Sequence, residues 1–271
     1  MNQNPVLQKE TKREFALDLL RVLACFLVIW QHVTEAYYIN PDFTVPTHDS
    51  MPLIGWMNSM TPIEVPLFVM ISGYFLLPLK MDVGAFFKRR FTRILIPFVV
   101  WCVAYSAYFM AYRGDTLAQF LRNVAHIPVN LGVEIGHMWF IYMLLGLYML
   151  VPIISPWLEQ CSKRQLQGYL GVWAFTTLLP YIHLWFPEVW GECFWDPTPM
   201  LHYFTGFAGY FLLGYYIKRY GALSVRHALL LLVGGYLFTV AVYQYRLDRV
   251  TQVSDLEVCW RFCSLNMMLM T

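Results

Sequence analysis

Charged side chains are scarce in this 271-residue sequence, where Asp, Glu, Lys and Arg make up only 13% of the residues. Soluble globular domains carry roughly 25%. Apolar residues account for 58% and aromatic residues for 18%, and they recur in runs long enough for a membrane span, which takes about 20 residues. The composition therefore excludes a soluble domain and predicts a polytopic membrane protein. A net charge of +2 gives no indication of nucleic-acid binding.

Paired cysteines and a cleavable leader are also missing. The six cysteines include no CxxC pair and mostly lie in apolar runs, so we expect neither a disulfide framework nor a zinc site. The first fourteen residues are polar, and no small-residue cleavage site follows them, which predicts a cytoplasmic tail and an uncleaved anchor. No segment between the apolar runs is long enough for a second domain. We therefore predict a single integral membrane domain over residues 1–271.

Apolar runs predict the fold class, an all-α polytopic bundle of transmembrane helices. An eighth run begins at Leu256, and the sequence ends at Thr271. A Pro-rich loop is expected over Ile39–Thr61 and a polar connection over Gly114–Gly136. The seven predicted spans are 15–38, 62–79, 94–112, 137–154, 168–186, 201–217 and 227–245.

Basic residues are distributed unevenly between the loops. The loop Ile39–Thr61 contains no Lys or Arg. Cytoplasmic loops of membrane proteins are enriched in these residues, so the pattern predicts a cytoplasmic N-terminus. The loops assigned to the opposite side hold only Arg113, Arg122, Arg246 and Arg249. The predicted cytoplasmic set is Lys9, Lys12, Arg13, Lys80, Lys88, Arg89, Arg90, Arg93, Lys163, Arg164, Lys218, Arg219 and Arg226.

The first span carries four ionisable residues, Asp18, Arg21, His32 and Glu35. Such groups are costly inside a bilayer and usually functional. Arg21 and His32 are eleven positions apart, so they return to nearly the same helix face about 16 Å apart along the axis. Asp18 and Glu35 lie one turn outside this pair. One face of the span is therefore predicted to be polar from end to end.

Two functions fit this polar face. A histidine suits general-base chemistry because its pKa is close to neutral pH, and Arg21 on the same face could hold an anionic ligand. A transporter or flippase could use the same charges as a route across the membrane, although no internal repeat supports it. A catalytically inactive structural partner is a third possibility. In a purely structural role, His32 would form a hydrogen bond with a neighbouring helix, and Arg21 would pair with Asp18.

Four motifs occur in order over residues 14–155: ALDLLRVLACFLVIWQH, VPLFVMISGYFLL, KRRFTRILIP and GHMWFIYMLLGLYMLVPI. Together they resemble acyltransferase family 3, the membrane O-acyltransferases. Among its members, the sequence looks most similar to the inner-membrane type that acetylates enterobacterial surface glycans. The family usually has about ten spans of about 20 residues each, whereas this sequence shows seven and the start of an eighth, so it is expected to lack the C-terminal spans.

The resemblance implies transfer of an acyl group, commonly acetyl, from cytosolic acetyl-CoA or another acyl-CoA to a hydroxyl of a glycan or lipid-linked sugar. It implies a location in the bacterial cytoplasmic membrane and no metal. The family's motif maps onto His32 and Arg21 as catalytic residues, and its basic pair maps onto Arg90 and Arg93. These arginines would bind the phosphates of CoA through charge-assisted hydrogen bonds.

Three further residues are assigned supporting roles. Asp18 would orient Arg21, and Glu35 would hold the tautomer of the catalytic imidazole. His137, at the predicted outer end of the fourth span, would face the acceptor or serve only in the interfacial aromatic belt. The sequence departs from the family in the second span, where many members have an acidic residue directly before Leu-Phe. Here Pro66 occupies that position and Glu64 lies two residues earlier, so the acid's role is not carried over.

Overall fold

The computed structural model describes residues 15–129, 136–189, 191–193 and 196–271. Short 3₁₀ helices cover Thr61–Ile63, Gly136–Met138, His202–Phe204 and Glu257–Trp260. Strands β1 (Gly191–Cys193) and β2 (Asp196–Pro199) form one small antiparallel pair. The α-helices are α1 Phe15–Tyr38, α2 Met51–Asn58, α3 Glu64–Leu76, α4 Val83–Arg113, α5 Leu117–His126, α6 Trp139–Gln160, α7 Lys163–Thr176, α8 Leu179–Trp185, α9 Phe207–Tyr220, α10 Val225–Leu247, α11 Val253–Leu256 and α12 Leu265–Met270.

The predicted all-α membrane fold is confirmed. In the described ranges, five helical segments are long and apolar enough to cross a bilayer: Phe15–Tyr38, Met51–Leu76, Val83–Arg113, Gly136–Gln160 and Val225–Leu247. The basic residues Lys9, Lys12 and Arg13, which support the predicted orientation, lie outside the described part of the chain.

Helix α1 coincides with the first predicted span. Only Ala24, Leu27 and Tyr38 are buried on it. The opposite side is apolar and exposed, with Leu19, Val22, Phe26, Ile29 and Val33 on its surface. Such a surface suits contact with lipid rather than water, because exposed apolar area is unfavourable in water. Helix α1 therefore forms an outer wall of the bundle.

Both connections predicted to be loops contain helices. Within Ile39–Thr61, α2 begins at Met51 with Pro52 in its first turn, a position that does not need the missing N–H. Within Gly114–Gly136, α5 begins after Thr116, whose side chain forms a capping box with Gln119. The third predicted span also begins earlier than expected. Helix α4 starts at Val83, and it therefore includes the basic residues Lys88, Arg89, Arg90 and Arg93.

Three predicted spans are not continuous helices. The run 168–186 is divided between α7 and α8, because Pro180 in the first turn of α8 has no N–H to continue the ladder of α7. The run 201–217 holds the 3₁₀ helix His202–Phe204 and becomes α-helical only at α9, after Gly206 with φ of 92°, a conformation that favours glycine. The run from Leu256 forms α11, the 3₁₀ helix Glu257–Trp260 and α12 instead of one span.

Helices α3 and α9 form the centre of the bundle and approach each other main chain to main chain. A Cβ atom on Gly73 would lie 1.9 Å from the carbonyl oxygen of Phe211, and one on Gly214 would lie 2.0 Å from that of Met70. Small residues permit this close helix packing in membranes, where van der Waals contact replaces the hydrophobic effect as the main attraction between helices. The pair anchors the main core cluster together with residues of α6 and α7.

A second core holds the C-terminal segment 253–270 against α1, α2 and α10. Asn266 is buried at its centre. Its Nδ2 donates to Thr239 Oγ1 and to the Cys259 carbonyl, each at 2.7 Å, and its Oδ1 accepts from Ser264 Oγ at 2.7 Å and from Tyr181 OH at 2.5 Å. A fully satisfied buried network of this kind fixes one arrangement of its elements. The segment is thereby held beside α1.

Candidate functional site

The polar face of α1 opens onto an internal cavity of about 1010 Å³. Helices α1, α3, α6 and α9 and the segment 253–263 contribute to its wall. Cavities of roughly 300–1,000 Å³ commonly hold small-molecule ligands. Its wall is mostly apolar, and its charged and polar side chains include Gln31, His32, Glu35, Glu64, His137, Glu257 and Arg261.

His32 and Glu35 form a hydrogen-bonded pair on this wall. The Nδ1 atom of His32 lies 2.9 Å from Oε1 of Glu35. A carboxylate has no hydrogen to donate, so Nδ1 is the donor and Nε2 retains its lone pair. The two residues are one turn apart on α1, which is the spacing at which helical side chains meet. The pair thus holds the imidazole in the tautomer that a general base requires.

A second histidine lies beside the first. The rings of His32 and His137 have centroids 5.9 Å apart, and the ring of Tyr105 lies 5.4 Å from that of His137. His137 belongs to the 3₁₀ helix Gly136–Met138 that precedes α6, and Tyr105 belongs to α4. Residues up to 105 positions apart in the sequence therefore meet where α1, α4 and the start of α6 converge. The structure brings His137 into the same cavity as His32.

Arg21 lies just beyond the cavity. Its Nη1 donates to Asp18 Oδ1 at 2.6 Å, and its guanidinium carbon lies 4.9 Å from the ring centroid of Phe75. Phe75 is one turn from Ser72 on α3, and Ser72 lines the cavity. Arg21 is similarly one turn before the cavity residue Cys25. The predicted pairing of Asp18 with Arg21 is present, and both lie at the end of the cavity away from His32.

Arg90 and Arg93 are located in the first half of α4 and do not line the cavity. Arg90 is half-buried, whereas Arg93 is exposed. The structure does not bring either arginine into contact with His32.

Sequence reasoning missed three charged cavity residues. Glu64 was noticed but given no role, and Glu257 and Arg261 were included in the predicted eighth span. Burial raises the pKa of the Glu257 carboxyl. The signal that could have found all three is the same one that identified α1, namely charge within an apolar run. Within the described ranges, no group of three or more His, Cys, Asp or Glu side chains could hold a metal ion.

Helical segments of membrane-spanning length and a cavity with a histidine–carboxylate pair define a multi-pass membrane protein with a reaction or binding site between its helices. The family model for the acyltransferase domain matches residues 14–252. The chain therefore belongs to acyltransferase family 3, and it is a membrane acyltransferase. No curated protein and no solved structure gives a significant match.

Proposed function

We propose that the protein is a membrane O-acyltransferase that moves an acyl group, most simply acetyl, from cytosolic acyl-CoA to a hydroxyl of a surface glycan or lipid-linked sugar. One observation carries this proposal. His32 is held by Glu35 at 2.9 Å on the wall of a cavity of about 1010 Å³. The family membership supports acyl transfer over transport as the use of this site.

In the proposed reaction, Nε2 of His32 takes the proton of the acceptor hydroxyl while the hydroxyl oxygen forms a bond to the thioester carbonyl carbon. The resulting tetrahedral oxyanion collapses, the carbon–sulfur bond breaks, and the CoA thiolate leaves and accepts the proton from the His32 imidazolium, which returns the histidine to its neutral form. Glu35 stabilises the imidazolium formed in the first step through Nδ1. A positioned base of this kind contributes about 100- to 10,000-fold to a rate.

The donor would approach from the end of the cavity at which Arg21 lies. Arg21 is about 16 Å from His32 along α1, by the rise of the helix, and a long, narrow molecule such as acyl-CoA suits that separation. Arg90 and Arg93 would bind its phosphates. The excess of basic residues in alternate loops supports a cytoplasmic location for this end and for the N-terminus, in a bacterial inner membrane.

The acceptor would occupy the part of the cavity beside His32 and His137. Trp139 and Phe262, with ring centroids 5.4 Å apart, both line the cavity. Aromatic faces combine an apolar surface with nearby polar groups, which suits the faces of a sugar ring. The family match over residues 14–252 supports the proposal that a single domain carries both substrates.

The proposal is tested by acetyl transfer in membranes. Membranes containing the wild type, His32→Ala or Arg21→Ala are supplied with radiolabelled acetyl-CoA, and alkali-labile label is measured in the glycan and lipid fractions. We expect His32→Ala to lower transfer by about 100-fold or more, since the base is removed. His227→Ala, in an exposed residue at the start of α10, is the matched control and should retain wild-type transfer.

Wild-type activity in both His32→Ala and Arg21→Ala would contradict the assignment. A transporter would instead show substrate flux in proteoliposomes without acyl transfer, and an inactive structural partner would show neither. The same preparations can be used for both measurements.

A further inference from the structure

Glu64 is a buried residue whose carboxyl group lacks a full set of hydrogen-bond partners within the described ranges. The residue is only 4% exposed, and its Oε2 atom has no hydrogen-bond partner in the described ranges. Glu64 nevertheless lines the cavity that contains His32. Buried polar atoms are almost always hydrogen bonded, so an exception needs an explanation.

Two hydrogen bonds place Glu64 beside the His32–Glu35 pair. Thr61, one turn before Glu64, donates to Gln31 of α1. Asn58 donates through Nδ2 to Thr34 Oγ1 at 2.8 Å. Because Gln31 and Thr34 flank His32, the beginning of α3 is attached to α1 at the level of the histidine. His32 and Glu64 both line the cavity.

The location of Glu64 is therefore fixed by its neighbours, while Oε2 itself remains unsatisfied. An unmade hydrogen bond of a buried carboxyl destabilises the folded protein. Functional sites often retain such unfavourable groups because substrate completes their interactions. One structural role competes with this explanation. Glu64 is in the first turn of α3, where negative charge stabilises the helix through its dipole.

We propose that Glu64 is an acceptor-binding residue whose carboxyl, closed to solvent at Oε2, turns toward the cavity and accepts a hydrogen bond from a hydroxyl of the acceptor. This inference rests on the proposed function, in which a second hydroxyl of the same molecule faces His32. It deepens that function by naming the substrate class: the site selects polyhydroxylated acceptors over molecules with one hydroxyl. Glu64 holds one hydroxyl while another reacts.

A labelling experiment tests the binding step without requiring turnover. The wild type in lipid nanodiscs is treated with dicyclohexylcarbodiimide, which couples to carboxylic acids in apolar surroundings, and the Glu64 peptide is quantified by mass spectrometry. Octyl β-D-glucoside, a polyol probe, should reduce labelling of Glu64 by at least fivefold. The probe n-octanol, with the same chain and one hydroxyl, should leave it unchanged.

Failure to label Glu64, or equal labelling with and without the glucoside, would overturn the inference. The exposed Glu159, which pairs with Lys80, supplies the control variant Glu159→Gln. This change should leave both the labelling of Glu64 and its protection as in the wild type. Transfer from radiolabelled acetyl-CoA is measured separately, so absent transfer with protected Glu64 contradicts only the proposed function. Normal transfer with unprotected Glu64 contradicts only the inference.

Thermal stability separates acceptor binding from the structural role. Methionine fills a similar volume without a charge, so Glu64→Met should melt at or above the wild-type temperature. Glu64→Gln, which retains a hydrogen-bonding side chain, should be at least as stable as the wild type. If both variants melt below the wild type, Glu64 stabilises α3 and the inference is wrong.

Discussion

At the scale of single residues, the His32–Glu35 pair leads to a prediction about the negative charge of the Glu35 carboxylate. Glu35→Gln keeps the size of the side chain but removes the carboxylate that stabilises the imidazolium. We expect kcat for acetyl transfer to fall about tenfold or more, which is less than the loss of about 100- to 10,000-fold expected for removal of the base. Initial rates at saturating acetyl-CoA measure this effect.

The KM for acetyl-CoA should change little in Glu35→Gln, because the proposed donor site lies at the end of the cavity near Arg21. Glu159→Gln removes an equivalent charge from an exposed residue and serves as the control. A Glu35→Gln enzyme with unchanged kcat would show that the carboxylate does not assist the histidine.

The residues of α1 could be predicted from the sequence because helical periodicity determines which of them share a face. The pairs Asp18–Arg21 and His32–Glu35 are both local, since the partners are three positions apart, and both are present. Glu64 could not be assigned in this way. Its importance depends on burial and on an unsatisfied oxygen, which arise only after α3 packs beside α1.

At the scale of helices, the contact of α3 with α9 predicts a strong effect of one methyl group. In Gly214→Ala, the new Cβ would be placed about 2 Å from a main-chain carbonyl oxygen, which cannot move without displacing α3. Overpacking costs typically about 1–3 kcal/mol and sometimes more, and we expect the upper end here. The measurement is the melting temperature in detergent by fluorescence-detected size exclusion.

Gly234→Ala is the matched control, since a Cβ on Gly234 of α10 has no atom within 4 Å. Alanine is the better helix former by about 0.8–1 kcal/mol, so this variant should melt at or above the wild-type temperature. Equal melting temperatures for the two alanine variants would contradict the close contact of α3 and α9.

Helix boundaries were harder to predict than helices. Hydropathy alone joined residues 168–186 into one span, although Pro180 lies inside that run and divides it into α7 and α8. The capping box of Thr116 is a local signal for the start of α5. The polar composition of the segment Gly114–Gly136 nevertheless led to its prediction as a loop. The C-terminal turns around Asn266 depend on partners in α8 and α10, so no local pattern contains them.

At the scale of the whole molecule, the proposed orientation predicts accessibility from opposite sides of the membrane. Thr47 and Lys163 are both exposed and lie in loops assigned to opposite sides. We expect a membrane-impermeant maleimide added to spheroplasts to label Thr47→Cys but not Lys163→Cys. Lysed membranes should label both variants, and the wild type supplies the background from its own cysteines. Labelling of Lys163→Cys in intact spheroplasts would reverse the proposed topology.

The main-chain contact of α3 with α9 also limits how the acceptor preference of such an enzyme can be altered. A side chain added at Gly73 or Gly214 would separate two helices, so directed evolution has little freedom in that central pair. The opposite wall offers more, because Phe140, Met143 and Phe262 line the cavity from α6 and from the C-terminal segment. Libraries randomised at these three positions should yield folded variants with new acceptors far more often than libraries at the two glycines.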